Sequence, residues 1–411
     1  MRDALQEFER GFLGYHPCML NIAAAADADP GCALTQAYAA ALHMLGESRS
    51  APDAARPYVA RARPTTAHER LVVAATRAWV DNDVPTALAV GEAIVAEYPH
   101  DLCAAKIVQC HHFNRGDAAG LLRTGVRAVA ANPVNAHAHA MAAFGHEQAN
   151  DMRAAEDAAR TAMDLDPHEP WAHHALAHVL LTEGRNDEAH AFLTGAAPSW
   201  RGLLSFMRTH NHWHLALVRI ERGETDAVLG DFDRHVWNAE PSLPQDQIGA
   251  VSLLARLELV GVDVGGRWGE LAPWLLRRID DHVLPFLSLQ YLYGLARAGE
   301  HAAAVEMLDA IRATAAVDPW LAWAEVCVPA AEGLLAHAEG DAVRAADRLG
   351  AVLPGMERIG GSHAQRDLFE QIHTDALIGA GRVSEAAARL RARLVGNPDS
   401  LPSRIRLSWL H

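Results

Sequence analysis

Three stretches decide the fold: LAVGEAIVAEYP (88–99), LRTGVRAVAANP (122–133) and EDAARTAMDLDP (156–167). Each is a run of helix-forming residues stopped by a proline, and Pro99, Pro133 and Pro167 are evenly spaced, by about 34 residues. Proline has no amide hydrogen and its ring clashes with the preceding turn, so each one marks the end of a helical hairpin. The pattern runs on past the last proline. Ala143, Ala155 and Ala162 recur at the same interval as Ala177, Ala189 and Ala196, and Arg201 stands where the next proline would fall. Small residues at such places let paired helices touch, so the register survives the missing proline.

The second half keeps a different time. Gly299, Gly340 and Gly381 are evenly spaced by a longer step, and Gly184 and Gly223 open similar turns. A glycine after a helix takes up the left-handed conformation at little cost. The expectation is an all-α chain of tetratricopeptide-type helical hairpins stacked into an α-α superhelix that the C-terminal hairpins can close. Three regions follow: N-terminal helices over 1–65, repeats of about 34 residues over 66–239, and longer-period hairpins over 240–411. Residues 48–66, with Pro52, Pro57 and Pro64, read as a loop, and 240–247 (EPSLPQDQ) as a break. Residues 354–363 (PGMERIGGSH) place Gly-Gly just before a helix.

Composition agrees. Hydrophobic residues are 50% of the chain but aromatics only 6%, so much of the apolar content is alanine, the best helix former. No long stretch rich in Val, Ile and Thr alternates with period two, so strands find little support. The balance of 36 cations against 51 anions gives a net charge of −15, which repels phosphate backbones and argues against nucleic acid. The arginine run Arg389, Arg391, Arg393, Arg404 and Arg406 reads as one solvated helix face. The five cysteines are odd in number and include no CxxC pair, as expected of reduced thiols in the cytoplasm. The start, MRDALQEFERG, lacks an apolar core for secretion, and no run of about 18 apolar residues is present to span a bilayer.

Chemistry, if any, points to histidine. There are 24. His174 and His178 form one i, i+4 pair and His210 and His214 another, so each pair projects from one helix face. The first pair falls near the fifth and ninth places of a repeat's first helix, which line the concave groove in such arrays. The second pair follows after one repeat plus two positions. Packed helices lie roughly 8–10 Å apart, so four imidazoles can converge on one site. Three readings stand together. The four can ligate a transition metal with an open position for water. They can act without metal as acid–base or ligand-contact groups. Or they can be groove packing beside Trp171 and Trp213. His212 lies about 200° round the helix from His210 and is left out of the site. No HExxH, GxSxG, Walker A or GxGxxG motif occurs.

Five segments together resemble the tetratricopeptide repeat protein 38 family, also grouped as StaR-like proteins: HHALAH (173–178), THNHWHLAL (209–217), GVDVGGRW (261–268), DDHVLPF (280–286) and GGSHAQRDLFEQ (360–371). The resemblance runs over nearly the whole chain and implies an all-helical repeat fold. It carries no established reaction. It leans towards small-molecule chemistry and directs attention to His174, His178, His210, Asn211, His214, Arg267, Asp281, His282, Gln365, Arg366 and Asp367.

In GGSHAQRD, Ser362 is expected to cap a helix, Arg366 to pair with a substrate carboxylate, and Asp367 to orient a histidine. The competing expectation is an internal salt bridge that ties the C-terminal hairpins to the earlier groove. The functional expectation is a His-lined pocket for a small molecule in an uncharacterised enzyme, with the cofactor left open and a transition metal one candidate. The alternative is a scaffold holding a protein or peptide partner.

Overall fold

The computed structural model describes residues 2–237 and 239–410, and among these there are helices and no strand. The chain divides into two compact units, Met1–Val179 with Pro198–Met207, and Leu180–Ala197 with Arg208–His411.

In the first unit the repeat is visible helix by helix. Val84–Glu97, Ala118–Ala131 and Met152–Leu165 follow one another at the spacing of the prolines, and each ends just before its own. The helix starts repeat as well. Asp83, Asp117 and Asp151 accept from the third amide of these helices, and Asp101 and Asn135 do the same for the helices between them. These caps satisfy amides that have no partner inside the helix. Within each hairpin the turn holds one left-handed residue, at Asn82, Gly116 and Asn150, with φ of 60, 70 and 64°. Asparagine and glycine are the residues that tolerate that conformation. Close helix approach needs glycine elsewhere: a Cβ on Gly125 would stand 2.7 Å from the Ala142 backbone.

The segment expected to be a loop at 48–66 is mostly helix, from Ala51 to Arg61. Pro52 sits in the first turn, where no amide hydrogen is needed. Pro57 lies inside and removes one backbone bond. Ala51, Ala55 and Val59 nevertheless bury one face against Ala40, Met44 and Val80, and that packing outweighs the lost bond. Residues 48–50 and 62–66, the latter with Pro64, remain outside a helix.

The second unit contains the large core, built around Trp213, Phe232, Tyr291, Trp323 and Phe369. Gly223, Gly299, Gly340 and Gly381 all take positive φ in their turns. The break at 240–247 is shorter than expected, since Pro244 already opens the helix Pro244–Leu259. Gly361, at φ 78°, has no room for a side chain, because a Cβ would fall 2.7 Å from the Phe286 ring. No described helix is long and apolar enough to cross a membrane.

Candidate functional site

His174 and His178 lie one turn apart on the helix Pro170–Thr182, and each is 1% exposed. Their Nε2 atoms are 3.1 Å apart and their rings meet edge to face. Two nitrogen ligands of a tetrahedral ion, with bonds of about 2.0 Å, stand about 3.3 Å apart. The observed spacing therefore suits two ligands of one ion, and equally one N–H···N hydrogen bond. Trp171 stacks on His174 at 4.3 Å, and the Phe144 ring packs against both imidazoles.

Behind His178 stands Glu147, fully buried, with Oε1 3.3 Å from Nδ1. The Gln148 amide donates to its other oxygen. A carboxylate at Nδ1 favours the proton there and leaves the Nε2 lone pair facing forward, the arrangement that orients metal-bound imidazoles. Glu147 was absent from the residues picked out of the sequence. The repeat could have found it: one period before His178 is Phe144, and Glu147 lies one turn further on the same face.

In the second unit His210 and His214 share the helix Ser205–Glu221, with ring centroids 4.8 Å apart at 85°. Trp213 stacks on His210 at 5.2 Å and meets His214 edge on. His214 and Asn211 are fully buried. His212 faces another way and stacks on His235 at 4.2 Å. Burial, helped by His235, pushes its pKa down to about 3, so it stays neutral.

Arg256 joins this helix to the C-terminal hairpins. Its guanidinium lies 5.5 Å from the Trp213 ring, donates to the Ala364 carbonyl at 2.6 Å, and stands 3.9 Å from Asp367. Arg393 pairs with Asp367, and Gln371 donates to it at 2.7 Å. Burial alone would raise the Asp367 carboxyl, but Arg393 and Arg256 hold it below the ordinary value. These groups border a cavity of about 250 Å³ whose walls include Leu217, Glu221, Arg256, Asp367, Arg393 and Asn397.

Other expected residues have structural partners. Arg267 grips Asp233 with two bonds of 2.8 and 2.7 Å at the surface. Asp281 pairs with Arg278 at 2.7 Å, and His282 Nδ1 meets the Ser288 hydroxyl at 3.2 Å. Gln365 completes a capping box with Ser362, and Arg366 donates to the Gly361 carbonyl. The arginine run is only partly a solvated face, with Arg391 and Arg404 exposed and the other three engaged. Arg389 pairs with Glu370, Arg393 with Asp367, and Arg406, itself 5% exposed, with Asp375. Arg389 and Arg393 lie one turn apart, so one helix face presents both to carboxylates of the helix His363–Gly379.

Comparison with known proteins finds the following similarities. The tetratricopeptide repeat family matches residues 146–199. A structure titled human IFIT1 dimer with m7Gppp-AAAA is 13% identical, with 100% of this chain and 99% of that one covered at a TM-score of 0.42. The Cut9–Hcn1 hetero-tetramer of APC/C is also 13% identical, covering 88% of this chain and 63% of that one at 0.41. MamA from Desulfovibrio magneticus RS-1 is 19% identical over 39% of this chain and 95% of its own, at 0.31. These likenesses concern the fold alone. The chain is an all-α protein of tetratricopeptide-type helical repeats.

Proposed function

We propose that this chain is a metal-binding helical-repeat protein in which the buried His174–His178 pair holds a transition-metal ion beside a small-molecule pocket. The observation that carries the reading is the His174–His178 pair, whose Nε2 atoms stand 3.1 Å apart with the buried Glu147 behind one ring. In the second unit His210 and His214 repeat the i, i+4 spacing and are proposed as imidazole ligands in the same way. An all-imidazole set suits zinc, copper, nickel or iron(II) rather than magnesium or calcium. With a coordination position open, the ion would polarise a bound carbonyl or activate water. Trp171 would then border a ligand at the first pair and Trp213 one at the second, where Arg366 and Asp367 of the same unit are proposed as further contacts. The finer likeness to the tetratricopeptide repeat protein 38 family and a reducing, cytoplasmic setting for five free cysteines belong to the same proposal.

Repeat folds of this type commonly bind proteins or peptides, which is the competing use of the same surface. Elemental analysis of protein purified without an affinity tag separates the two. The expected result is stoichiometric transition metal, lowered by His178→Ala and by His214→Ala and retained in His212→Ala. Wild-type protein that carries no metal, and gains no thermal stability from added zinc, copper, nickel or iron, would remove the metal and leave the histidines as contact or packing groups.

A further inference from the structure

Lys106 is the only lysine in the sequence, and the remainder of the 36 lysines and arginines are arginine. It is not a surface residue. It lies on the helix Leu102–Asn114 and is 6% exposed. Its Nζ stands 4.3 Å from the centroid of Tyr15, 4.9 Å from that of Trp171 and 5.9 Å from that of Phe12. Among the described residues no hydrogen bond or ion pair reaches this nitrogen. A buried ammonium ordinarily has a carboxylate partner, because taking a lone charge out of water costs several kcal/mol. Here three aromatic faces substitute.

The aromatic cage is itself built at some cost. Tyr15 adopts φ 58°, a left-handed conformation that bulky residues avoid, and its carbonyl accepts from Leu204 N at 2.7 Å, which pins the turn. Trp171, on another wall, is stacked from behind by His174 and edge on by Phe144. The groups that set the local charge are few. Cys103 and Cys110 come from the same helix, Tyr15 from the turn after Arg2–Gly14, and Glu169 from the start of Pro170–Thr182. Glu169 is engaged with His137 at 3.0 Å and with the Ala172 amide. Burial pushes the Lys106 pKa down to about 8, and the nearby Glu169 only partly opposes it. The Tyr15 phenol and the Cys110 thiol are both pushed upward by burial and remain protonated.

We propose that Lys106 is a nucleophilic amine that condenses with the carbonyl group of an aldehyde or ketone of apolar or aromatic body, forming an imine inside the Tyr15–Trp171–Phe12 cage. The nitrogen lone pair attacks the carbonyl carbon, a C–N bond forms, and the C=O π pair moves to oxygen. The C–O bond then breaks. From the ammonium state, two nitrogen-bound hydrogens leave with that oxygen as water and one stays on the iminium nitrogen, so no oxidant or reductant is needed. Arginine could not do this, since its guanidinium does not lose its proton in proteins. The chemistry of the cage selects the ligand class. A carboxylate or phosphate would find a single cation, with Glu169 close by. A quaternary ammonium would find the cage already filled by a cation. A flat apolar carbonyl compound gains ring contacts from the cage faces, while burial lowers the amine. The site shares Trp171 with the metal reading, through its stack on His174, but does not need a metal.

The sole lysine makes the test clean. Native protein is incubated with benzaldehyde, reduced with sodium borohydride and peptide-mapped. Reduction of the imine should leave one benzyl group on Lys106, with labelling half-maximal near pH 8 rather than at the ordinary lysine value of about 10.4. Lys106→Arg keeps the cation and the cage contact, and should lose the label while melting within a few degrees of wild type. Labelling of Lys106 only after denaturation in urea, with none in the folded chain, overturns the proposal. So does folded-chain labelling whose midpoint is that of an ordinary lysine, because the amine would then be merely accessible. The wild-type result stands whether or not a variant folds.

Discussion

Glu147 shows how one residue can separate two uses of the same imidazole. It is wholly buried, with Gln148 on one oxygen and His178 near the other. If His178 ligates a metal, Glu147 holds the proton on Nδ1 and raises the basicity of Nε2. Glu147→Gln keeps the shape and removes the charge, and should weaken metal binding about 10–100-fold. Titration of the apo-protein with zinc, read by competition with a chromophoric chelator, measures this directly. An unchanged affinity would mean that the carboxylate serves only the fold. Residue-level reading of the sequence had clear limits here. The two histidine pairs were visible because their spacing is local. The partners of those histidines, and the aromatic walls around Lys106, come from other helices, and only folding brings them together.

Helix by helix, the sequence was most transparent where a backbone rule acts alone. Evenly spaced prolines mark helix ends, and evenly spaced glycines mark turns, because both residues change what the backbone can do whatever surrounds it. It failed at Ala51–Arg61, where the same proline rule was overruled by the buried faces of Ala55 and Val59. It failed again for the arginines of Val383–Gly396, whose carboxylate partners sit on the preceding helix. The helix caps offer a graded test of element stability. Asp83 only caps its helix, accepting from Thr86 N at 3.1 Å. Asp117 caps through Gly120 N at 2.8 Å, and its other oxygen stands 2.8 Å from Nδ1 of the buried His112. Asp83→Ala should cost about 1 kcal/mol, the usual worth of a cap. Asp117→Ala should cost about 2–3 kcal/mol, since a buried imidazole also loses its partner. Urea denaturation of both variants checks the order, and equal losses would mean that His112 gains nothing from Asp117.

At the scale of the whole molecule, buried neutral histidines tie stability to pH. Burial pushes His111 down to about 4, His212 to about 3 and His373 to about 4. His111 belongs to the first compact unit and the other two to the second, so both should respond. The sign follows from proton counting. In the unfolded chain each histidine takes up a proton near pH 6.5, whereas in the folded chain it does not until the pH is far lower. Their contribution is therefore complete above pH 6.5 and is lost as the pH falls from there towards 4. One residue works in the opposite direction: the Asp101 carboxylate raises His68, which adds stability below pH 6.5 and loses it as the pH rises through its raised value. His16, His173 and His235 are lowered by burial as well, so the histidines together leave a net loss on acidification. Each depressed histidine should cost about 1 kcal/mol at pH 5.5 relative to pH 7.5. Urea midpoints at the two pH values, followed by helical circular dichroism, measure the sum. His212→Gln should recover about 1 kcal/mol of the acid loss, because it removes one proton-binding group from the unfolded chain. A midpoint that does not move between pH 7.5 and 5.5, or a His212→Gln chain as acid-sensitive as the wild type, would show that these histidines are not held neutral by burial.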